Sequence, residues 1–225
     1  MDRHFKGFSN ETLEFFVGIR FNNYKAFFEE NREIYHRFVL QPLKDLASDL
    51  ISVIEEIDPE LDSRPMVTKT ISRINRDTRF SKDKSPYRDH MWIGYKKTGE
   101  SNGECFGIYF EIFADRFHYG AGFYTVNKSR MDRFRLRVKA RPQEFLRIIS
   151  EPSLLSEYQL SGEDYKRNIA QGLDAAIQPW YQKKFFFLEH SEPISKKVMG
   201  SELVDQLENG FRLLKNLYDF IEEKT

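Results

Sequence analysis

Cysteine and long apolar runs are the scarcest features of this sequence. Its one cysteine, Cys105, cannot form an internal disulfide, and the sequence shows no apolar h-region and no apolar run of membrane-spanning length, so no leader and no membrane span are expected. The 35 basic and 35 acidic residues cancel, so no overall field attracts nucleic acid or an anionic membrane. We therefore expect a cytoplasmic protein that has no membrane contact and no strong nucleic-acid binding.

Aromatic residues are abundant, at 15% of the 225 residues, and 21 of them are phenylalanine. Large rings bury more apolar area than other side chains, so a substantial core is expected. The pattern along the chain predicts one domain over 1–225. It divides into N-terminal helices at 9–58, a sheet at 66–126 and a C-terminal helical part at 129–224.

The N-terminal part has helical periodicity. Ser9 or Asn10 is a suitable N-cap for a short helix that ends near "FNN". From Tyr24 onward, apolar residues recur at three- and four-residue steps up to Ile57, which predicts one long helix or two. Pro42 lies inside this stretch and lacks a backbone donor, so we expect a kink or a break there.

The middle part changes to the period of strands. Turn-forming clusters separate four segments rich in β-branched and aromatic residues: "VTKTISRI", "HMWIGYK", "CFGIYFEIF" and "FHYGAGFYTV". Alternation in the third segment puts Tyr109, Glu111 and Phe113 on the less apolar face, which is a candidate cleft lining. "GAG" at 120–122 indicates close packing of a strand rather than a dinucleotide fingerprint.

The last part returns mainly to helical periodicity. Two helices are predicted on either side of Arg141, and Ser201 is expected to cap a final amphipathic helix that extends past Leu217. "FFFLEH" is a candidate further strand. The predicted fold class is therefore α+β, with an antiparallel meander of about four or five strands packed against N- and C-terminal helices.

The densest chemical feature is "RINRDTRFSKDKSPYRDH", residues 73–90, with six cationic side chains and three carboxylates. Guanidinium forks, ammonium groups and hydroxyls together suit the recognition of phosphate or carboxylate. If residues 71–79 are extended, Arg73 and Arg79 lie on one face and converge on one ligand. The candidate ligand-binding residues are Arg73, Arg76, Thr78, Arg79, Ser81, Lys82, Lys84, Tyr87 and Arg88.

Two alternatives for this segment remain open. The charges could form a purely structural ion-pair network around Asp77 and Asp83, or the segment could belong to a module that binds nucleic acid or a partner protein. The second alternative draws on a basic helical stripe formed by Arg130, Arg133, Arg137 and Arg141.

The sequence contains weak indications of catalysis and none of a metal. Asp77 and His90 are the candidate proton-transfer residues, and Cys105 is expected to be a small buried hydrophobe. The five histidines lack the pairwise spacing of a zinc site, so no metal is expected. No cofactor, enzymatic reaction or oligomeric state is indicated. Arg135 is expected on an exposed helix face, so its loss should matter less than that of Arg76 or Arg79.

The segment at 73–90 resembles the signature of an uncharacterised conserved family, domain of unknown function 2461, whose members carry an R-x-x-R-D-T-R-F-S-K-D-K-[ST]-P-Y-K-like segment. "FSNETLEFF", "NNYKAFFEENREIYHRFVLQPLKDLASDL" and "FGIYFEIFADRFHYGAGFY" are also similar to that family. The resemblance implies a helix–helix–sheet order. It implies no particular activity.

Overall fold

A computed structural model describes residues 3–100 and 105–222 of the chain. The described helices are α1 Asn10–Phe21, α2 Lys25–Glu30, α3 Arg32–Ile34, α4 Gln41–Asp49, α5 Ile51–Ile57, α6 Lys128–Ala140, α7 Pro142–Ile149, α8 Pro152–Glu157, α9 Gln178–Tyr181 and α10 Glu202–Glu222. The described strands are β1 Met91–Tyr95, β2 Gly107–Ile112, β3 Arg116–Gly122, β4 Gln159–Asp164 and β5 Lys183–Pro193.

Within the described residues the strands form one open antiparallel sheet in the order β1-β2-β3-β5-β4. The first three strands follow one another as a meander, β5 pairs beside β3, and β4 is the outer partner of β5. The α+β prediction is therefore confirmed. "FFFLEH" lies in β5 as predicted, whereas β4, "QLSGED", carried too little strand propensity to be recognised.

The predicted first strand, "VTKTISRI", is wrong. Between α5 and β1 the chain forms no regular strand, and only isolated bridges join Val67 to Ile71, Ile71 to Ile93 and Asn75 to Tyr87. A tight turn replaces the strand, because Thr68 has a φ of 74°, which a β-branched residue rarely adopts. Two backbone hydrogen bonds join the residues after this turn to β1. The N–H of Ser72 donates to the carbonyl of Trp92 at 3.0 Å, and the N–H of Gly94 donates to the carbonyl of Thr70 at 2.7 Å.

The N-terminal helices agree with the apolar periodicity. α1 begins at Asn10 after Ser9, and the helical path from Lys25 continues with short interruptions to Ile57. Ahead of Pro42, residues Tyr35–Leu40 form a π-helical segment instead of a break. The wider π-helical turn tolerates the missing backbone N–H of Pro42, so the helix does not end there.

The residues cluster into two compact units. The first contains the chain up to Tyr95 together with Tyr109–His118 and Ser191–Glu208; the second contains Lys96–Ile108, Tyr119–His190 and the chain from Asn209 onward. Phe8 stacks with Phe110 in the first, at 6.1 Å between ring centroids. In the second, Phe134 packs against Phe145 and Phe186 at 5.4 and 5.1 Å.

Close strand packing at "GAG" is confirmed in the second unit. A Cβ on Gly122 would lie 2.3 Å from the Cα and Cβ atoms of Phe187, and one on Gly120 would lie 1.9 Å from the carbonyl oxygen of Leu188. Neither position of β3 has room for a side chain against β5. Cys105 is buried.

Two predicted segments lie partly outside the described residues: the turn at 97–104 and the last positions of the C-terminal part, 223–224. Among the helices that the structure describes, none is both long and apolar enough to span a membrane.

Candidate anion site in the Arg73–His90 segment

The segment folds as a loop with a hairpin-like base. Arg76 donates its backbone N–H to Pro86 at 2.8 Å, Arg88 donates to Ile74 at 2.8 Å, and Asn75 pairs with Tyr87 as an antiparallel bridge. Residues 74–76 therefore lie opposite 86–88, and residues 77–85 form the tip. Phe80 stands at this tip with 94% of its surface exposed.

Tyr87 anchors the base of the loop. Its ring is buried and stacks on Phe28 at a centroid distance of 4.5 Å. Its backbone N–H and carbonyl are both hydrogen-bonded to the side chain of Asn23, each at 2.9 Å. The loop base is thus fixed to the helices at the N-terminus.

The cations at the tip have local partners. Arg79 forms a bidentate pair with Asp77, with a shortest distance of 2.6 Å, and Lys84 donates to the carbonyl of Thr78 at 2.8 Å. The hydrogen bond from Arg79 lowers the pKa of Asp77 to about 2, so Asp77 is a poor proton acceptor at neutral pH. Ser81 is half-buried and donates its backbone N–H to Thr78 at 3.3 Å.

Arg76 is paired as well, but its partner lies across the loop. Its guanidinium donates to Asp83, whose other oxygen accepts from the N–H and hydroxyl of Ser85 at 2.9 and 2.7 Å. The hydrogen bonds from Arg76 and then Ser85 lower the pKa of Asp83. These two exposed pairs, Arg76–Asp83 and Arg79–Asp77, are what a structural ion-pair network predicts.

Arg88 is in a different environment. Its guanidinium lies over the ring of Trp92 at 4.8 Å and donates to the carbonyl of Asn75 at 3.2 Å. Burial lowers its pKa, the positive charges of Arg76 and Arg73 lower it further, and the carboxylate of Glu111 acts in the opposite direction. Arg88 thus experiences the positive charges of Arg73 and Arg76, and these three residues are here called the arginine cluster.

Two members of the arginine cluster have no counter-ion at contact distance. Across the described residues, neither Arg73 nor Arg88 forms an ion pair, and Arg73 is exposed without a hydrogen-bond partner. Arg79 is not a member of the arginine cluster, because it is paired with Asp77 at the exposed tip of the loop. The extended geometry that would bring Arg73 and Arg79 onto one face is not formed, because the chain turns back in the tip that begins after Arg76. Lys82 is exposed, and within the described chain it has no partner.

A stack of rings and cations borders the arginine cluster on the less apolar face of the sheet. His90 stacks on Phe113 at 4.6 Å and, more loosely, on Trp92 at 5.9 Å. The guanidinium of Arg116 covers Phe113 at 4.2 Å. This face includes Glu111 and Phe113, which strand alternation had assigned to a candidate cleft together with Tyr109; Tyr109 is buried.

His90 lies between two carboxylates. Its Nδ1 is 3.0 Å from Asp89 Oδ1, and its Nε2 is 3.4 Å from Glu111 Oε1. Arg20 holds the other oxygen of Asp89 at 2.7 Å. Burial alone would raise the pKa of Asp89, but hydrogen bonds from His90 and Arg20 outweigh it and lower the pKa. His118 contacts the same Phe113 ring, so the two histidines share a neighbour.

Sequence reasoning missed Arg20, Asn23 and Trp92 as members of this site. Arg20 lies in the last turn of α1 and Asn23 just beyond it, and nothing in their local pattern indicates contact with residues more than sixty positions away. No group of three or more His, Cys, Asp or Glu side chains suited to a metal ion occurs in the described ranges.

Most arginines of the basic stripe on α6 have partners within the protein. Arg130 binds Glu222 at 2.7 Å, Arg137 donates to the carbonyls of Phe220 and Ile221, and Arg141 lies over the Phe220 ring. Three of the four arginines therefore bind the C-terminal end of α10, where the helix dipole attracts positive charge. Arg133 is the exposed member.

Arg135 is not exposed, contrary to the expectation. It is 7% exposed, donates from Nε to the carbonyl of Tyr181 at 3.1 Å, and also donates to the carbonyl of Lys183. The rings of Tyr165 and Tyr181 flank its guanidinium. The helical pattern of α6 did not distinguish this arginine from its exposed neighbours.

Comparison with known proteins assigns the chain to a family. No curated protein matches the chain. The model of a family described as "Conserved hypothetical protein (DUF2461)" matches residues 11–220, which include nearly all of α1 and the whole candidate site. The chain therefore belongs to this conserved family, domain of unknown function 2461.

Proposed function

We propose that the protein binds a small anionic ligand, bearing a phosphate or carboxylate group, at the arginine cluster. The observation that carries the proposal is that Arg88 is half-buried beside Trp92, has no ion-pair partner among the described residues, and is acted on by the positive charges of Arg76 and Arg73. Arginines that only stabilise a fold are usually paired when they are partly removed from water. A bound oxyanion would relieve the repulsion and accept from the guanidinium forks.

The electrostatic setting supports a pocket-sized ligand more than a long polyanion. The arginine cluster is flanked by the carboxylates Asp83, Asp89 and Glu111, which would repel an extended phosphate backbone. The basic stripe on α6 is largely engaged with α10. We keep the expectation that nucleic acid binds only weakly at physiological salt. Submicromolar binding of a labelled duplex with a steep salt dependence would favour the nucleic-acid alternative.

Thermal unfolding in phosphate tests the proposal. At roughly a hundred times the dissociation constant, phosphate should stabilise the fold by about 2.7 kcal/mol and raise the melting temperature by about 5–10 °C. Chloride at equal ionic strength controls for screening, which acts alike for both salts.

Two matched variants locate the effect. Arg88→Gln should abolish the difference between phosphate and chloride, because it removes the half-buried guanidinium of the arginine cluster. Arg79→Gln should keep the difference, because Arg79 is bound to Asp77 at the exposed tip. Equal loss in both variants would indicate a site that includes the tip. Equal melting curves in the two salts would support the structural ion-pair network.

A further inference from the structure

We propose that His90 donates a proton to the leaving oxygen of a phosphate monoester held by the arginine cluster, so that the protein hydrolyses small phosphate monoesters. This inference rests on the proposed anion site and adds a reaction to it. The geometry around His90 supplies a fixed orientation, a transferable proton, a neighbouring base and the charge expected for this class of ligand.

The orientation of His90 is fixed from two sides. Its ring is nearly parallel to that of Phe113, at 22° and 4.6 Å between centroids, which restricts rotation. Its Nδ1 is held by Asp89 at 3.0 Å, and Asp89 is itself held by Arg20 at 2.7 Å. A carboxylate that binds one imidazole nitrogen directs the other nitrogen toward the reacting group.

The second nitrogen has an acceptor too. Nε2 faces Glu111 Oε1 at 3.4 Å, so both ring nitrogens point at carboxylate oxygens that can accept but not donate. A doubly protonated ring satisfies both contacts, and this is the form with a proton to transfer. The distance to Glu111 is long for a hydrogen bond, so a ligand oxygen beside Nε2 can compete with Glu111 for its proton without rotation of the ring. His90 is also partly exposed, with 27% of its side-chain surface accessible.

Glu111 links His90 to the arginine cluster. Its carboxylate lies beside His90 Nε2, and its charge acts on the guanidinium of Arg88. Trp92 lies between the two side chains, stacked on His90 and covered by Arg88. A phosphoryl group bound to Arg88 is therefore on the same face of the sheet as His90.

The charge of the site selects the class of ligand. Arg76 is neutralised by Asp83, and a protonated His90 is balanced by Glu111. Arg73 and Arg88 then contribute the two positive charges without an ion-pair partner among the described residues. A phosphate monoester dianion matches this charge, whereas a phosphodiester or a carboxylate brings only one negative charge.

The step balances without a further reactant. A water oxygen forms a bond to phosphorus, and the bond between phosphorus and the alcohol oxygen breaks with its electron pair on that oxygen. The Nε2 proton of His90 goes to the alcohol oxygen, and the proton of the attacking water goes to Glu111. Glu111 then returns this proton to His90, so the products are the alcohol and hydrogen phosphate.

Two substrates with different leaving groups test the inference. Phenyl phosphate has a poor leaving group that needs protonation, whereas p-nitrophenyl phosphate has a good one that needs little. The wild-type protein should hydrolyse both. His90→Gln should lower kcat for phenyl phosphate by about a hundredfold and kcat for p-nitrophenyl phosphate by much less, because removing a general acid affects the poor leaving group most. His36→Gln, at an exposed position of the π-helical segment, is the matched control.

Glu111→Gln is a second variant that keeps the size of the side chain. Since the attacking water loses its base, kcat should fall about a hundredfold with both substrates. A loss with both substrates in Glu111→Gln, but mainly with phenyl phosphate in His90→Gln, is a pattern that a merely structural role would not produce.

The outcomes separate the two proposals. If phosphate fails to stabilise the wild-type protein, the anion site itself is wrong. If phosphate stabilises it but phenyl phosphate is not hydrolysed, the binding proposal stands and the catalytic inference is overturned. An equal loss of kcat for both substrates in His90→Gln, with phosphate stabilisation retained, also overturns the role of His90 as the acid.

Discussion

The side-chain amide of Asn23 binds both backbone polar groups of Tyr87. Its Nδ2 donates to the Tyr87 carbonyl and its Oδ1 accepts from the Tyr87 N–H, each at 2.9 Å. One side chain thus reproduces the hydrogen bonds of a neighbouring strand at a position where the sheet does not extend. With the ring of Tyr87 stacked on Phe28, it fixes the base of the loop that carries the arginine cluster.

Asn23→Ala should therefore destabilise the protein by about 1–3 kcal/mol, because it leaves a buried backbone donor and acceptor without partners. It should also weaken the stabilisation by phosphate, since the loop base positions Arg88. The control is Asn22→Ala, which removes a bond of 3.1 Å to Gly18 within its own helix end and should cost less than about 1 kcal/mol. Urea titration of both variants gives the comparison, and equal midpoints would contradict the anchoring role.

Arg135→Ala should destabilise the protein more than any substitution at the loop tip, by about 2–4 kcal/mol. The variant removes the donor to the buried carbonyl of Tyr181 and to the partly buried carbonyl of Lys183. This reverses the ranking predicted from sequence, in which Arg79 mattered more.

The matched control for Arg135 is Arg133→Ala, two positions earlier on the same helix and exposed. It should change the unfolding free energy by less than about 0.5 kcal/mol. Chemical denaturation of Arg133→Ala, Arg135→Ala and Arg79→Ala would test the order. A smaller effect at Arg135 than at Arg79 would show that the carbonyls find other donors.

Arg135 and Arg79 show which features of the structure could be predicted from the sequence and which could not. Periodicity identified α1 and α10, because their apolar stripes repeat every three or four residues and are decided locally. The burial of Arg135 depends on Tyr181, forty-six residues away, and no local pattern records that contact. The charged segment was likewise found by its density, while Glu111 and Asn23 joined it only through the tertiary fold.

The strands show the same limit of prediction from local sequence. "VTKTISRI" has strong strand propensity but forms a turn at Thr68, because tertiary hydrogen bonds to β1 begin only beyond it. β4 has the opposite character: a polar sequence with a glycine at a φ of 130° that is held as a strand by its pairing with β5. Propensity describes a preference of the residue, and pairing partners decide the outcome.

The stability of the site should depend on pH through Asp89. Its pKa is lower in the folded protein than in the unfolded chain, so the unfolded chain takes up the proton first as the pH falls. The stabilisation from Asp89 is therefore present above about pH 4 and is lost as the pH falls through the folded pKa. Asp89→Asn should lower the urea midpoint at pH 7, and its difference from wild type should shrink at about pH 3.

Asp219→Asn is the control for the loss of one carboxyl. Asp219 is an exposed residue of α10 that pairs with Lys215 at 2.8 Å, and a surface pair of this kind contributes about 0.5 kcal/mol or less. A difference between Asp89→Asn and wild type that stays constant from about pH 7 to about pH 3 would mean that the contacts with His90 and Arg20 do not depend on the charge of Asp89.

Gly122→Ala should destabilise the second unit by about 2–3 kcal/mol. The added Cβ would lie 2.3 Å from the Cα and Cβ atoms of Phe187, so β3 and β5 must separate or twist. Such a shift would also strain the hydrogen bond of 2.8 Å from Phe123 to Phe186. Gly94→Ala is the matched control, because a Cβ there meets the Trp92 ring at 3.6 Å, an ordinary contact, and should change stability by less than about 0.5 kcal/mol. Thermal unfolding of the two variants gives the comparison. Similar melting temperatures would show that the two strands move apart freely, and that the close approach at Gly122 is not what requires glycine.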